Sequence, residues 1–168
     1  MKFIKNLLVF LFLVGNMAAF SQTQLWKSSE ENRIPNVSKL ERQIIPQRYA
    51  LLQLDFSALK NILSEAPMRF SDAAESKNVV IEIPQPDGSL QHFRIEEVPT
   101  MHADLQAKYP NIRSFVGFGV ENRTAMMRCE YSQNGFSAMI LAEGKTLFVD
   151  PFAKGNTEYY IATTKKIF

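Results

Sequence analysis

Histidine and cysteine, which serve as metal ligands and in nucleophilic catalysis, are scarce in this 168-residue chain. The chain has two histidines, His92 and His102, and one cysteine, Cys129. No H-E-x-x-H pattern joins the histidines, and no Cys/His cluster has zinc-ligand spacing. Residue alternation favours His92 as an exposed structural residue on the polar face of a strand, and His102 as one at a helix start that can cap it. The sequence therefore predicts no catalytic, cofactor-binding or metal-binding residue.

Cys129 allows two interpretations, a reactive thiolate or a small buried hydrophobic residue. One face of its predicted strand is apolar and carries Ala125, Met127, Cys129 and Tyr131. The opposite face is mostly polar and carries Thr124, Met126, Arg128 and Glu130. The thiolate is the reactive form of cysteine, and apolar surroundings disfavour it. The pattern therefore favours Cys129 as part of the core.

The remaining motifs that could support chemistry are incomplete. Gly117-Phe118-Gly119 lacks the third glycine and the strand–helix setting of a dinucleotide site, so a bend or bulge is the preferred interpretation. Glu96 and Glu97 are adjacent on a predicted strand and should point to opposite faces, which is a poor arrangement for paired acid–base chemistry.

The periodicity of the chain predicts an α+β domain over residues 48–163, mainly an antiparallel β meander of about seven strands with two short helices. A helix is expected over Phe56–Ser64, capped by Asp55, and a second over Met101–Lys108. The segment 68–77 is predicted to be a polar connection. Asn134-Gly135 indicates a tight hairpin turn because both residues tolerate positive φ.

The N-terminal 21 residues have the pattern of a signal peptide. Lys2 and Lys5 form a basic start, the apolar run Leu7–Phe20 follows, and Ser21 precedes an expected cleavage before Gln22. The run is shorter than the ~20 residues that span a bilayer, so a retained membrane anchor is the weaker alternative. We therefore expect a secreted, periplasmic or cell-envelope protein that has no membrane attachment after cleavage.

The composition of residues 22–168 excludes several classes of partner and scaffold. The two lysines of the signal are among 19 basic residues, against 17 acidic residues in the whole chain, so the remainder is formally neutral. That balance argues against a nucleic-acid surface, which needs clustered positive charge. A single cysteine permits no internal disulfide, so the domain must be held by packing.

The two ends of the domain are expected to be less regular. Residues 22–47 read as an irregular lead-in in which Trp26 docks on the domain. Residues 164–168 read as a tail or linker after the last strand. Lys165-Lys166 in that tail is either a proteolytic processing site or simply solvated.

Distributed segments of the chain resemble the N-terminal, propeptide-like region of secreted reprolysin-like zinc metallopeptidases of Bacteroidetes-type bacteria. These segments are Met101–Val120, Tyr49–Asp55, Ala58–Leu63, Gly135–Leu141 and Phe148–Pro151. The resemblance implies a non-catalytic pro-domain or accessory domain that aids folding or latency of a metallopeptidase catalytic domain, present in cis or encoded by a neighbouring gene. The zinc-binding helix of that family has no counterpart here, so no zinc or catalytic residue is carried over and no cofactor is implied.

Two other functions remain open. A freestanding exported β-rich domain that binds a glycan or an envelope partner would use the aromatic residues late in the chain. Tyr159 and Tyr160 should face opposite ways, so at least one should point outward, although aromatics are common in strands in any case. An enzyme would need a site assembled from scattered residues.

Overall fold

The computed structural model describes residues 24–42 and 44–166, which form one nine-stranded antiparallel sheet. The strands are β1 Trp26–Ser28, β2 Ala50–Leu54, β3 Val80–Pro84, β4 Leu90–Glu97, β5 Arg113–Gly119, β6 Met126–Ser132, β7 Gly135–Ala142, β8 Lys145–Pro151 and β9 Tyr159–Lys166. Their order across the sheet is β1-β2-β9-β8-β7-β6-β5-β4-β3. The expected β-rich, antiparallel α+β class is thus confirmed.

Three short α-helices accompany the sheet in the described residues: α1 Phe56–Ser64, α2 Asp72–Ser76 and α3 Ala103–Lys108. Asp55 caps α1 as expected, because its carboxylate accepts a 2.9 Å hydrogen bond from the backbone N–H of Ala58. Leu59 and Leu63, one turn apart, are fully buried and fix α1 on the sheet. None of the helices described is long and apolar enough to cross a membrane.

The sheet curls until its two edge strands nearly meet. The indole Nε1 of Trp26 on β1 donates a 2.8 Å hydrogen bond to the backbone carbonyl of Glu82 on β3. The side-chain carboxylate of Glu82 accepts a second bond, of 3.3 Å, from the backbone N–H of Leu25. The docking predicted for Trp26 is confirmed, and it joins the first and last strands of the sheet.

The concave side of the curled sheet contains the main core. Trp26 lies edge-on to Tyr160 with 5.6 Å between the ring centroids, and tilted against Phe136. The buried hydroxyl of Tyr160 accepts a hydrogen bond from the backbone N–H of Phe136 at 3.1 Å. Burial raises the pKa of Tyr160 to about 12. The phenol therefore stays neutral in the core, where ionisation would leave a charge without water.

A smaller hydrophobic cluster lies on the convex side, where the segment before β2 packs over the end of the sheet. Its buried members are Ile34, Leu51, Phe152, Ala153, Tyr159 and Ile161. The guanidinium of Arg42 lies 4.3 Å from the ring centre of Phe152 and also bonds Glu31. Because this segment covers that part of the convex side, Tyr159 and Tyr160 are both buried although they face opposite ways, and the expected outward position of at least one of them is wrong.

The sequence also underestimated the number of elements. The described part of the chain has nine strands rather than about seven, and the lead-in predicted to be irregular contains β1 and two 3-10 turns, Glu31–Arg33 and Val37–Lys39. Strand β1 has three residues, too few for a periodic pattern to appear. The segment 68–77, predicted as a polar connection, contains α2, which has five residues and is also too short to show a helical period.

The hairpin predicted at Asn134-Gly135 is confirmed, with Ser132 and Gly135 as the last register partners of β6 and β7. Gly135 alone of the two has positive φ, at 110°. The glycines of Gly117-Phe118-Gly119 lie in regular register with β4, opposite Ile95 and Phe93, rather than at a bend or bulge. A Cβ on Gly117 would be 3.2 Å from the Cβ of Phe93 on the next strand, so glycine permits close packing there.

Candidate functional site

The two histidines are placed apart and neither joins a metal-binding group. His92 on β4 is exposed and its Nδ1 lies 2.5 Å from a carboxylate oxygen of Glu121. His102 is the N-cap of α3, and its Nδ1 accepts a 3.5 Å hydrogen bond from the backbone N–H of Asp104. Within residues 24–42 and 44–166, no three His, Cys, Asp or Glu side chains are grouped to hold a metal ion.

Cys129 is buried on the concave side of β6, as the alternation predicted. Its register neighbours are Phe115 on β5 and Ala138 on β7, both buried. Burial strongly raises the pKa of the thiol, with a smaller contribution from the charge of Glu130. The environment therefore disfavours the thiolate, which is the form that attacks electrophiles and binds metals.

The predicted processing residues fall at the two ends of the chain. Ser21 and Gln22 lie outside the residues that the structure describes. Lys165 and Lys166 are the last residues of β9, where they are register partners of Thr146 and Lys145. The dibasic pair is thus inside a paired strand rather than after it, and its processing stays a prediction.

Glu96 and Glu97 point to opposite faces of β4, as expected. Glu97 forms a bidentate ion pair with Arg113, and this pairing strongly raises the pKa of the Arg113 guanidinium. Glu96 is buried on the convex side, where it contacts Arg94 at 2.6 Å and Arg69 at 3.8 Å. Each carboxylate is neutralised by arginine, so the two do not form an acid–base pair.

The convex side carries an apolar surface, here called the outer strip, which consists of Phe70, Phe118, Met126, Met139 and Leu141. Phe118 on β5 is the register partner of Met126 on β6, which is in turn the partner of Leu141 on β7. Met126 is 47% exposed and Leu141 45% exposed. Contiguous apolar surface of this kind, bordered by polar residues, is typical of a protein–protein contact.

Phe70 lies at one end of the outer strip in an unusual backbone conformation. Its φ of 63° is in the left-handed region, which costs a bulky L-residue about 1–2 kcal/mol. Its side chain is 90% exposed, so packing within the domain does not offset this cost. Strain of this kind at an exposed aromatic is a pointer to function.

The loop that carries Phe70 is fixed to β4 on both sides of Met68. The backbone N–H of Arg69 donates to the carbonyl of Glu97 at 2.9 Å, and the N–H of Glu97 donates to the carbonyl of Pro67 at 2.8 Å. These two bonds form an isolated parallel bridge between Met68 and Glu97. The loop is therefore held as a short extension of the sheet edge rather than as a free connection.

Two arginines lie among the aromatic residues at this end of the strip. The guanidinium carbon of Arg69 is 4.6 Å from the ring centre of Phe70 and 5.8 Å from that of Phe118. The guanidinium carbon of Arg94 is 5.1 Å from the ring centre of Phe118. Both arginines share one carboxylate, that of Glu96, so the cluster carries a surplus positive charge.

A groove of about 250 Å³ adjoins the other end of the strip, beside Met139 and Phe148. Its floor includes Asp150, which is partly buried on β8. Burial raises the pKa of Asp150, and a hydrogen bond from Ser137 opposes this shift. The outer strip thus passes from a cationic aromatic end to an end with a desolvated carboxyl group.

A larger cavity of about 740 Å³ lies at the end of the curled sheet where the β3–β4 and β7–β8 turns meet. Its lining includes Arg48, Gln85, Asp87, Gln91, Asn122 and Lys145. The amide Nε2 of Gln85 is buried there without a hydrogen-bond partner among the residues that the structure describes. Amide and charged side chains of this kind suit a polar, hydroxyl-bearing ligand.

The sequence did not identify the outer strip as a site. Alternation had already placed Met126 with Thr124, Arg128 and Glu130 on the face opposite the core, and an apolar side chain on a polar face was the available signal. Phe70 gave no signal, since nothing in the residue type indicates a left-handed backbone.

No family model matches this sequence, and no curated protein and no solved structure matches it either.

Proposed function

We propose that this chain is the non-catalytic pro-domain or N-terminal accessory domain of a secreted zinc metallopeptidase, and that it acts by docking on the catalytic domain through the outer strip. The observation that carries the proposal is the apolar row of half-buried Phe118 and exposed Met126 and Leu141 on neighbouring strands. Such a row is unfavourable in water and is stabilised when a partner covers it.

The chemistry of the strip suits a protein partner. Methionine side chains are flexible and polarisable, so Met126 and Met139 can adapt to an irregular surface. Aromatic, methionine and arginine residues are the types enriched at the centres of protein interfaces. A strip of this composition therefore supports recognition of a folded protein better than recognition of a small solute.

The family resemblance supports the same partner. Two of the segments that resemble the metallopeptidase propeptide-like region, Met101–Val120 and Gly135–Leu141, supply Phe118, Met139 and Leu141 to the strip. If the two domains are joined in one chain, tethering raises the effective concentration to the millimolar range. The separate domain should then bind only with modest affinity.

Adding this domain to a separately purified catalytic domain tests the proposal. The chain 22–168 would be titrated into the catalytic domain of a reprolysin-like metallopeptidase of a Bacteroidetes-type bacterium. Peptidase activity and the refolding yield of the denatured catalytic domain would be measured. At micromolar concentrations of the added domain, we expect inhibition of the peptidase or an increased refolding yield. A Met126→Ser, Leu141→Ser double variant should produce neither effect. A wild-type domain that changes neither quantity would contradict the proposal.

The second candidate is a freestanding exported domain that binds a glycan or an envelope partner. The polar cavity lined by Gln85, Gln91 and Asn122 favours it, because amide groups pair well with sugar hydroxyls. Calorimetric titration of the domain with soluble envelope oligosaccharides tests this candidate. Saturable binding that is lost in Gln85→Leu would support it, and the absence of heat with every oligosaccharide would exclude it for those ligands.

A further inference from the structure

We infer that Phe70 is a preformed anchor that enters an apolar pocket with a carboxylate at its rim on the catalytic domain. This inference rests on the proposed function and specifies how the outer strip meets its partner. The three observations that support it are the strained, exposed backbone position of Phe70, the fixed loop around it, and the positive charge beside it.

The positive φ of Phe70 belongs to the turn Met68–Ser71, in which the Ser71 N–H donates to the Met68 carbonyl at 3.2 Å, but this turn does not require an aromatic side chain. A left-handed φ of 63° is suited to glycine or asparagine, and the almost fully exposed ring of Phe70 gains no burial, while its contact with the Arg69 guanidinium, 4.6 Å from the ring centre, lies at the surface. A residue that stabilises the fold would be buried or hydrogen-bonded. The arrangement is what an anchor requires, because an exposed aromatic ring contributes free energy only when a partner buries it.

The loop also presents Phe70 in one orientation before the partner arrives. The two backbone bonds between residues 67, 69 and 97 fix the chain on both sides of Met68. A further hydrogen bond, of 2.6 Å, runs from the Ser71 hydroxyl to the Met68 carbonyl. A preformed anchor loses little conformational entropy on binding, which increases affinity for a given contact area.

Charge complementarity identifies the rim of the pocket. Arg69 lies beside the Phe70 ring and shares the carboxylate of Glu96 with Arg94. The shorter contact is that of Arg94, at 2.6 Å against 3.8 Å for Arg69. Arg69 is therefore the guanidinium that can pair with a carboxylate of the partner when the Phe70 ring is buried.

Substitution of Phe70 separates an anchor from a structural residue. Phe70→Asn removes the ring and tolerates the left-handed backbone, whereas Phe70→Leu keeps an apolar side chain. The matched control is Leu90→Asn, the same kind of change at an exposed apolar residue at the opposite end of β4. Each variant of the 22–168 chain would be assayed for its thermal midpoint and for its Kd with the same reprolysin-like catalytic domain.

We expect Phe70→Asn to keep or raise the thermal midpoint and to weaken binding at least 30-fold, Phe70→Leu to weaken it about threefold, and Leu90→Asn to leave it unchanged. Added NaCl should weaken the wild-type complex.

Equal binding of wild-type and Phe70→Asn would contradict the anchor role of Phe70 while leaving the proposed function intact. A lower thermal midpoint of Phe70→Asn would assign Phe70 a structural role. A wild-type Kd that does not change with NaCl concentration would contradict the presence of a carboxylate at the rim of the partner's pocket. Absence of wild-type binding would overturn both proposals.

Discussion

The indole of Trp26 and the backbone carbonyl of Glu82 join the two edges of the sheet through a 2.8 Å hydrogen bond. The two residues are 56 positions apart and lie on strands at opposite ends of the strand order. A side chain thus makes the connection that backbone pairing makes between all the other strands. This contact closes the core around the ring of Trp26, which is buried against Tyr160 and Phe136.

Replacing Trp26 by phenylalanine should destabilise the domain by about 2 kcal/mol. The change removes the N–H donor and leaves the carbonyl of Glu82 without its partner, which costs more than the loss of an exposed hydrogen bond. Urea denaturation followed by circular dichroism measures the effect. Lys27→Ala, on the exposed side of the same strand, is the control and should change the free energy of unfolding by less than about 0.5 kcal/mol. Equal stability of the two variants would show that the edge contact contributes little.

The segment before β2 offers a matched pair of isoleucines. Ile34 is 4% exposed within the convex cluster and Ile45 is 76% exposed. Ile34→Ala should lower the free energy of unfolding by about 2–4 kcal/mol because it leaves a cavity, whereas Ile45→Ala should be nearly neutral. Chemical denaturation of both variants checks this. Two nearly neutral variants would mean that the packing of this segment contributes little to stability.

Cys129 should resist alkylation in the folded protein. Burial raises the pKa of its thiol and also blocks access to reagent. We expect iodoacetamide at pH 8 to label Cys129 only at the rate at which the domain unfolds, and to label it fast in urea. Mass spectrometry of timed samples measures both rates. Rapid labelling of the native domain would show that the thiol is exposed and would reopen a reactive role.

Asp150 should make stability depend on pH. Burial raises the pKa of its carboxyl in the folded state, so the folded state binds the proton more tightly than the unfolded chain. The stabilisation from the protonated form is complete below the unfolded pKa of about 4, and is lost as pH rises through the raised folded pKa. Asp150→Asn should therefore gain stability relative to wild type as pH rises from 4 to 7. A constant difference between the two proteins across this range would contradict the assignment.

Local signals predicted most of the β structure. The Asp55 cap, the Asn134-Gly135 hairpin and the buried face of Cys129 each follow from a few neighbouring residues, and each is confirmed. Strand β1 escaped prediction because three residues show no period, and it forms through its pairing with β2.

The site was harder to predict because exposure depends on what covers a face. Alternation correctly assigned Tyr159 and Tyr160 to opposite faces but could not show that the segment around Ile34 covers the convex face at Tyr159. The same reasoning placed Met126 on the face opposite the core but could not show that its side chain is exposed to solvent. The conformation of Phe70 follows from the anchoring of its loop to Glu97, a contact between residues distant in sequence.

Methyl NMR tests most directly whether the outer strip is the docking surface. In the 22–168 chain labelled with ¹³C-methyl methionine, Met126 and Met139 report on the strip, while Met127 is fully buried on the opposite face of β6. On addition of the reprolysin-like catalytic domain, we expect the resonances of Met126 and Met139 to shift or broaden and that of Met127 to stay unchanged. A complex that forms while the Met126 and Met139 resonances remain in place would contradict the account.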